Sequence, residues 1–294
     1  MRLAAVKKAS VVVFSLFILL SGLVYFTKTN IERRAKTAID QRLNQLAPFV
    51  SVNYDRISFN PFFWDMHVYD IQINLPNQHP ISIEEIVFED WDRNRSHPMP
   101  YVAAWRIRNA KLPTALLGRD RLLPAWGKND LLVSFAISLQ YEEEHQSLHI
   151  KNIHVEVPGA GELAIAANFA NVAWQEGIAA VVAKSYTTLL QNMRITYRDD
   201  ALLDQILAKT ATQRGTDQET IRQVWLNDLE AKRQRASQDP KKAQMYASLQ
   251  TFLRQPDRLT IEFLPESLLP LGRILQATDE DELYTLLEPK ITLQ

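Results

Sequence analysis

Three histidines, His145, His149 and His154, fall within one short stretch, and imidazoles grouped this way could begin a metal site. Their spacing argues otherwise. The segment around them reads as extended, where four residues span about 13 Å, so the rings cannot meet at one ion without a helix or a tight turn. Gly159-Ala160-Gly161 echoes part of a dinucleotide loop, whose glycines let backbone amides approach phosphate at a helix start. Here Leu163, Ile165, Ala167 and Phe169 alternate after it as a strand, so a hairpin turn is the expectation. Glu89-Asp90-Trp91-Asp92-Arg93 offers carboxylates beside an aromatic ring, as acid/base chemistry on a sugar would need. Adjacent strand residues point to opposite faces and no second acidic cluster completes a pair, so this reads as a solvated loop. Asp279-Glu280-Asp281-Glu282 stands where a helix would begin, and the helix dipole accounts for its acidity without calcium. There is no nucleophile elbow and no phosphate loop. The expectation is no catalytic residue, no metal, no cofactor and no enzyme.

Composition narrows the partners. Of 294 residues 46% are hydrophobic and 23% charged, with 8 glycines, which describes a folded chain rather than a disordered one. Lys and Arg total 33 against 34 Asp and Glu, so no strongly basic face is implied and nucleic acid is not an expected partner. The absence of cysteine removes disulfides and thiolate metal sites, and suits an exported bacterial protein whose core is large enough to need no staples.

The elements that would hold any site begin with a membrane segment. Ala9 to Phe26 carries no charge, and its length of roughly 27 Å matches a bilayer's hydrocarbon core. Val11, Phe14, Phe17, Leu20 and Leu23 form its apolar body, with Tyr25 and Phe26 placed as an aromatic belt. A cleavable signal peptide is the alternative. The run is longer than an ordinary signal core, and Leu19 and Leu20 occupy positions where cleavage needs small residues, so an uncleaved anchor is expected. Arg2, Lys7 and Lys8 compete with Lys28, Arg33, Arg34 and Lys36 under the positive-inside rule. The preferred orientation puts the N-terminus in the cytoplasm and the bulk in the periplasm of a single-pass inner-membrane protein.

Residues 30–48 follow as an amphipathic stalk helix, with Ile31, Ala35, Ile39, Leu43 and Leu46 on one side and Pro48 at its end. Its basic residues read as a solvated face near lipid headgroups. From Val50 the period changes to two. Strands are expected at Val50–Tyr54, Tyr69–Leu75, Ile81 to near Phe88, Tyr101–Ala110, Leu131–Tyr141, Leu148–Val157, Glu162–Val172 and Met193–Tyr197. No clear helical segment separates them, so an antiparallel meander is expected over residues 49–198. Residues 199–294 read as a helical region. A helix runs to about Ala211, a second opens on a Thr216/Glu219 capping box, and a third follows Pro240. Leu259–Phe263 is strand-like, Glu266–Ala277 and Asp279–Leu287 read as short helices, and Ile291–Gln294 returns to a sheet edge. The fold class is therefore α+β: an N-terminal transmembrane helix in residues 1–29, an antiparallel curved β-sheet and a C-terminal helical cap.

Two patches carry a resemblance. Val50-Ser-Val-Asn-Tyr-Asp-Arg-Ile-Ser-Phe-Asn-Pro-Phe-Phe-Trp64, running into Val68–Ile73, resembles the opening strands of AsmA-like and YdgA-like periplasmic proteins. Met193–Asp204, with the helical residues to Leu229 and Pro256–Ile261, resembles the C-terminal part of similar envelope proteins. The resemblance implies an inner-membrane-anchored envelope protein with a curved sheet, which in larger members forms a groove for lipid tails. It supplies no catalytic residue.

Trp64, Trp91, Trp105, Trp126 and Trp174 all lie in or beside the strand-rich half, where they serve a core or line an apolar groove or partner interface. The expected function is a non-catalytic, membrane-anchored envelope module, an accessory or assembly subunit of a larger inner-membrane or periplasmic complex. Its partners would be membrane lipid and the proteins of that complex. The alternative is a lipid-binding or lipid-transfer protein whose sheet shields acyl chains, and a hydrolase of envelope polymers is third.

Overall fold

A computed structural model describes residues 27–41, 43, 50–74, 80–91, 99–113 and 130–293. The anchor residues Val11, Phe14, Phe17, Leu20, Leu23, Tyr25 and Phe26 lie outside these, as does Trp126. Among the described residues no helix is long and apolar enough to cross a membrane. The fold is α+β, mostly antiparallel open curved sheet with several helices. The chain divides into two compact units, Met1–Glu89 and Asp90–Gln294.

In the first unit a helix, α1, covers residues 27–41. Strands β1 (Ser51–Asn53) and β2 (Arg56–Asn60) lie end to end along one edge of β3 (Asp65–Asn74), and β4 (Ile81–Trp91) pairs with the other edge. All pairings are antiparallel. The break between β1 and β2 faces Asp70, whose φ of 53° marks the irregularity in β3. Phe59, Val68, Ile71, Ile83 and Val87 form the buried face. One carboxylate shares it. Glu85 is 6% exposed and meets His67 Nδ1 at 2.7 Å, so its burial is answered by a partner from β3. The acidic stretch at Glu89-Asp90 continues β4 to Trp91 rather than forming a loop; both carboxylates are exposed, so the strand does not bury them.

The second unit is a meander followed by a helical insertion. Strands β5 (Val102–Pro113), β6 (Asp130–Glu142), β7 (Ser147–Val157), β8 (Gly161–Ala170) and β9 (Leu189–Asp199) pair in chain order, each antiparallel to the last. Register shifts at Ile107/Ala110, Ser138/Leu139, Ile150/Ile153 and Asn168/Phe169 bend the sheet. Between β8 and β9 the chain makes two single 3-10 turns flanking a short helix, α2 (Ile178–Ala183). The meander is therefore interrupted by helix where none was expected, because an all-apolar run shows no period to read.

Helices α3 (Leu202–Arg214), α4 (Gln218–Arg235) and α5 (Pro240–Arg254) follow, and β10 (Arg258–Phe263) then returns to pair with β9. Leu207, Ala211 and Ile221 are buried between α3 and α4, with Leu203 and Trp225 packed against them. The cap of α4 is Asp217, which accepts the Thr220 N–H at 2.8 Å, one residue later than the expected Thr216. Asp239 caps α5 ahead of Pro240, and Asp279 caps α7 (Glu280–Leu287). The expected helix at Glu266–Ala277 is shorter. Leu269–Pro270 forms a two-residue strand, β11, on β9, and α6 (Leu271–Gln276) starts only after Pro270, which has no N–H to continue a ladder. β12 (Pro289–Leu293) closes against β10, the expected return to the sheet edge.

Candidate interaction surface

The residues that suggested chemistry are dispersed by the sheet. His145 sits in the turn between β6 and β7, exposed, 3.5 Å from Glu142. His149 is placed by a ladder of side chains across three strands. Its Nδ1 meets Asn168 Oδ1 at 2.7 Å, and Asn168 donates to Asn192 at 2.8 Å. His154 lies farther along β7 and groups instead with Glu156 and Glu162, whose ligand-capable atoms come within 4.8 Å of one another and of the imidazole. Glu156 and Glu162 face each other across β7 and β8, a pairing of like charges that Arg198 on β9 offsets by donating to Glu162. This is the set among the described residues with ligands for a cation, and sequence spacing hid it because Glu162 arrives from the neighbouring strand. Its second carboxylate is already engaged by a guanidinium.

The glycine turn has a structural task. Gly161 takes φ +149°, and a Cβ there would stand 2.2 Å from the Arg198 carbonyl oxygen. The Ala160 carbonyl accepts the N–H groups of Asp200 and Leu202 at 3.0 and 3.2 Å, so the β7–β8 hairpin serves the start of α3 rather than a phosphate.

The tryptophans are not gathered. Trp174 is core: its ring stacks on Tyr141, 6.0 Å between centroids, and its Nε1 donates to the Pro100 carbonyl at 2.8 Å. Ala103, Leu139, Leu148 and Val172 complete that cluster. Trp105 is half-buried against Phe135 at 5.2 Å. Trp64, in the first unit, is exposed at the β2–β3 turn and meets Phe59 edge-on at 5.5 Å. Trp91 ends β4. No groove is lined by these rings together among the described residues.

An apolar surface is nevertheless present in the second unit, built from residues the sequence did not single out. Helix α2 reads Ile-Ala-Ala-Val-Val-Ala, and none of its residues is buried. Ile178 is 61% exposed and Val182 66%. They share one helical face, and Tyr186 follows at the same spacing after the helix ends. Tyr186 lies across α6: a Cβ on Gly272 would come 2.8 Å from its ring, so only glycine admits the contact. Leu275, one turn beyond Gly272, is exposed, and the Leu271 N–H donates to the Thr188 carbonyl at 2.8 Å to fix the two segments together. Val181 turns inward onto the Trp174 cluster and anchors α2 from below. Glu176, just before α2, and Lys184, just after it, pair at 2.6 Å. The sole signal in the sequence was an uninterrupted apolar stretch between Gly177 and Lys184.

Two of the depressions among the described residues of this unit hold charged groups. One, about 440 Å³, lies among α4, α5 and α7 and is lined by Lys232, Lys242, Tyr246, Glu280 and Asp281, which bond to one another. The other, about 430 Å³, lies on the sheet and includes Arg106, Arg108, Asn152, His154 and Glu156.

A protein-family model described as an uncharacterized protein matches residues 154–294, from within β7 to the end of the chain. No curated protein matches the chain.

Proposed function

We propose that this protein is a non-catalytic envelope module, anchored in the bacterial inner membrane by its apolar N-terminal segment, with the bulk of the chain in the periplasm. It works by contact, as an accessory or assembly subunit of a larger membrane-associated complex. The observation that carries this reading is α2: a wholly apolar helix with no buried residue, seated through Val181 on the Trp174 cluster and flanked by the Lys184–Glu176 ion pair, has the anatomy of a partner surface. A water-facing helix with no such role would be expected to carry polar residues on its outer face.

The alternative of a sheet that shields acyl chains requires an apolar trough. The depression on the described sheet sets Arg106, Arg108, His154 and Glu156 around Phe135 and Ala136, and charges inside the wall of an acyl-chain site would be costly to desolvate, which supports the contact reading. The test is to purify the full chain from membranes, unaltered and as the Ile178→Asp/Val182→Asp variant, and to weigh both what protein and what lipid come with it. A stoichiometric protein retained by the unaltered chain and lost from the variant is the expected result. A stoichiometric phospholipid bound equally to both would replace this reading with the carrier.

A further inference from the structure

The turn joining β2 to β3 carries Pro61, Phe62, Phe63 and Trp64, and it presents them outward: Phe62 is 80% exposed and Phe63 77%. Two bare phenyl rings at a hairpin tip are costly in water unless another medium receives them. The contacts of the hairpin with α1 show where the tip lies along that helix. At its base the Tyr54 hydroxyl donates to Asp40, and farther along the Phe59 N–H donates to the Glu32 carboxylate at 2.8 Å. The strand thus climbs α1 toward the helix start, covering roughly 16 Å of strand against roughly 12 Å of helix. Continuing past Asn60, the tip reaches about the level of Thr27, the first described residue of α1. The residues directly before Thr27 in the chain are the uncharged run Ala9–Phe26.

The cations agree with this placement. Lys28 is near the first described residue of α1, Arg33, Arg34 and Lys36 are exposed along the helix, and Arg56 on β2 lies over the Tyr69 ring, 4.4 Å from its centroid. Basic side chains set back from an aromatic tip match the layering of an anionic bilayer, headgroup phosphate outside and acyl boundary within. We infer that the Phe62-Phe63-Trp64 tip inserts into the headgroup and acyl boundary of the same membrane that holds the N-terminal segment, as a second point of contact that fixes the first unit against the lipid. This rests on the membrane-anchored reading above. A single helix leaves an attached body free to swing, whereas a helix plus an interfacial wedge beside it sets its orientation.

The chain has no cysteine, so one can be placed at will. Full-length Phe63→Cys, carrying an environment-sensitive nitrobenzoxadiazole label, is reconstituted into vesicles of phosphatidylethanolamine and phosphatidylglycerol, with Ser51→Cys as the comparison site on β1. Phe63 makes so little packing contact that its replacement does not threaten the fold. The expected result is a blue-shifted emission at position 63, lost to lipids bearing a nitroxide high on the acyl chain and resistant to aqueous iodide, while position 51 remains quenched by iodide. If the protein stays with the vesicles through alkaline extraction but position 63 is quenched by iodide, the tip is in water and the inference fails while the anchor stands. Shielding from iodide without quenching by lipid nitroxide places the tip against protein and also overturns it. Release of the protein from the vesicles on extraction overturns the anchor and the inference together.

Discussion

The phenol of Tyr197 donates to the carboxylate of Asp199, two residues on at the end of β9, and that same carboxylate accepts the Leu203 N–H at 3.0 Å. One side chain therefore closes the strand and opens α3. The position before α3 is Ala201, which has no side-chain oxygen to cap with, so Asp199 supplies the missing acceptor from upstream. Replacing Asp199 by Ala is expected to lower stability by about 1 kcal/mol, the usual loss of a helix cap, read as a shift of the urea midpoint with unchanged slope. Asn at the same position should recover most of it.

Tyrosine ionisation should be late and coupled to unfolding. Burial, followed by the Asp199 and Asp200 carboxylates, raises the Tyr197 phenol above its ordinary value; burial and Asp40 do the same for Tyr54, and burial with Glu280 pushes Tyr246 up to about 12. A phenol whose folded value is raised adds stability that is complete below its unfolded value of about 10 and is lost as pH rises through the folded value. An alkaline titration followed by phenolate absorbance should show these rings silent until circular dichroism reports unfolding. Smooth ionisation of all tyrosines near the free value, with the fold intact, would contradict the burial described.

Helix α7 is docked by charge. No residue of α7 is buried, yet Glu280 accepts from Lys232 at 2.8 Å and from Tyr246 at 3.1 Å, Asp281 pairs with Lys242, and Glu288 just beyond pairs with Lys241 at 3.4 Å. The hydrogen bond from Lys232 holds the Glu280 carboxyl below its ordinary value, and Lys242 does so for Asp281. Groups depressed in this way contribute above the ordinary carboxylate range and lose that contribution as pH falls through the folded values. Protection of the α7 amides, taken relative to their intrinsic exchange rates at each pH, should therefore fall on acidification and in high salt before the sheet responds. Glu280→Gln should loosen it by about 0.5 kcal/mol after solvent screening, seen as faster exchange confined to residues 280–288.

Gly161→Ala should be among the most damaging single substitutions in the second unit. Its φ lies outside the range L side chains accept, and the new methyl would collide with backbone at Arg198 rather than with a yielding side chain. The loss should exceed about 1 kcal/mol in thermal or urea unfolding. Gly159→Ala meets no neighbouring atom, so its cost should be the backbone strain at φ +76° alone and the smaller of the two.

Period two exposed most of the strands because one face of each is buried: Ile71, Ile83 and Leu139 each sit at an inward position of a readable alternation. The starts of α5 and α7 were equally readable, since Pro240 and an acidic first turn act through the local backbone alone, whereas their Asp239 and Asp279 caps emerge only in the structure. What depended on neighbours distant in the chain was not. Glu162 joins His154 and Glu156 through strand register. The exposure of Ile178 and Val182 could not be told from burial, because apolar residues carry the same signal whether they face a core or a partner. Trp174 shows the converse, since its residue type favours a core but leaves a groove open, and the Tyr141 ring and Pro100 carbonyl decide for the core.

Helices α3, α4 and α5 occupy the interval between β9 and β10, which are immediate neighbours in the sheet. Strands β5 to β9 each zip onto the strand made just before, so that part can grow as the chain leaves the ribosome, with its tightest closures at the β6–β7 and β7–β8 turns. Addition of β10 is different in kind, because its template waits while a long excursion is synthesised. If the three helices collapse first on Leu207 and Ile221, they shorten that excursion to a compact splint and bring Arg258 back to the edge it must join. The hydrophobic centre of the insertion would then govern how fast the last strands are recruited.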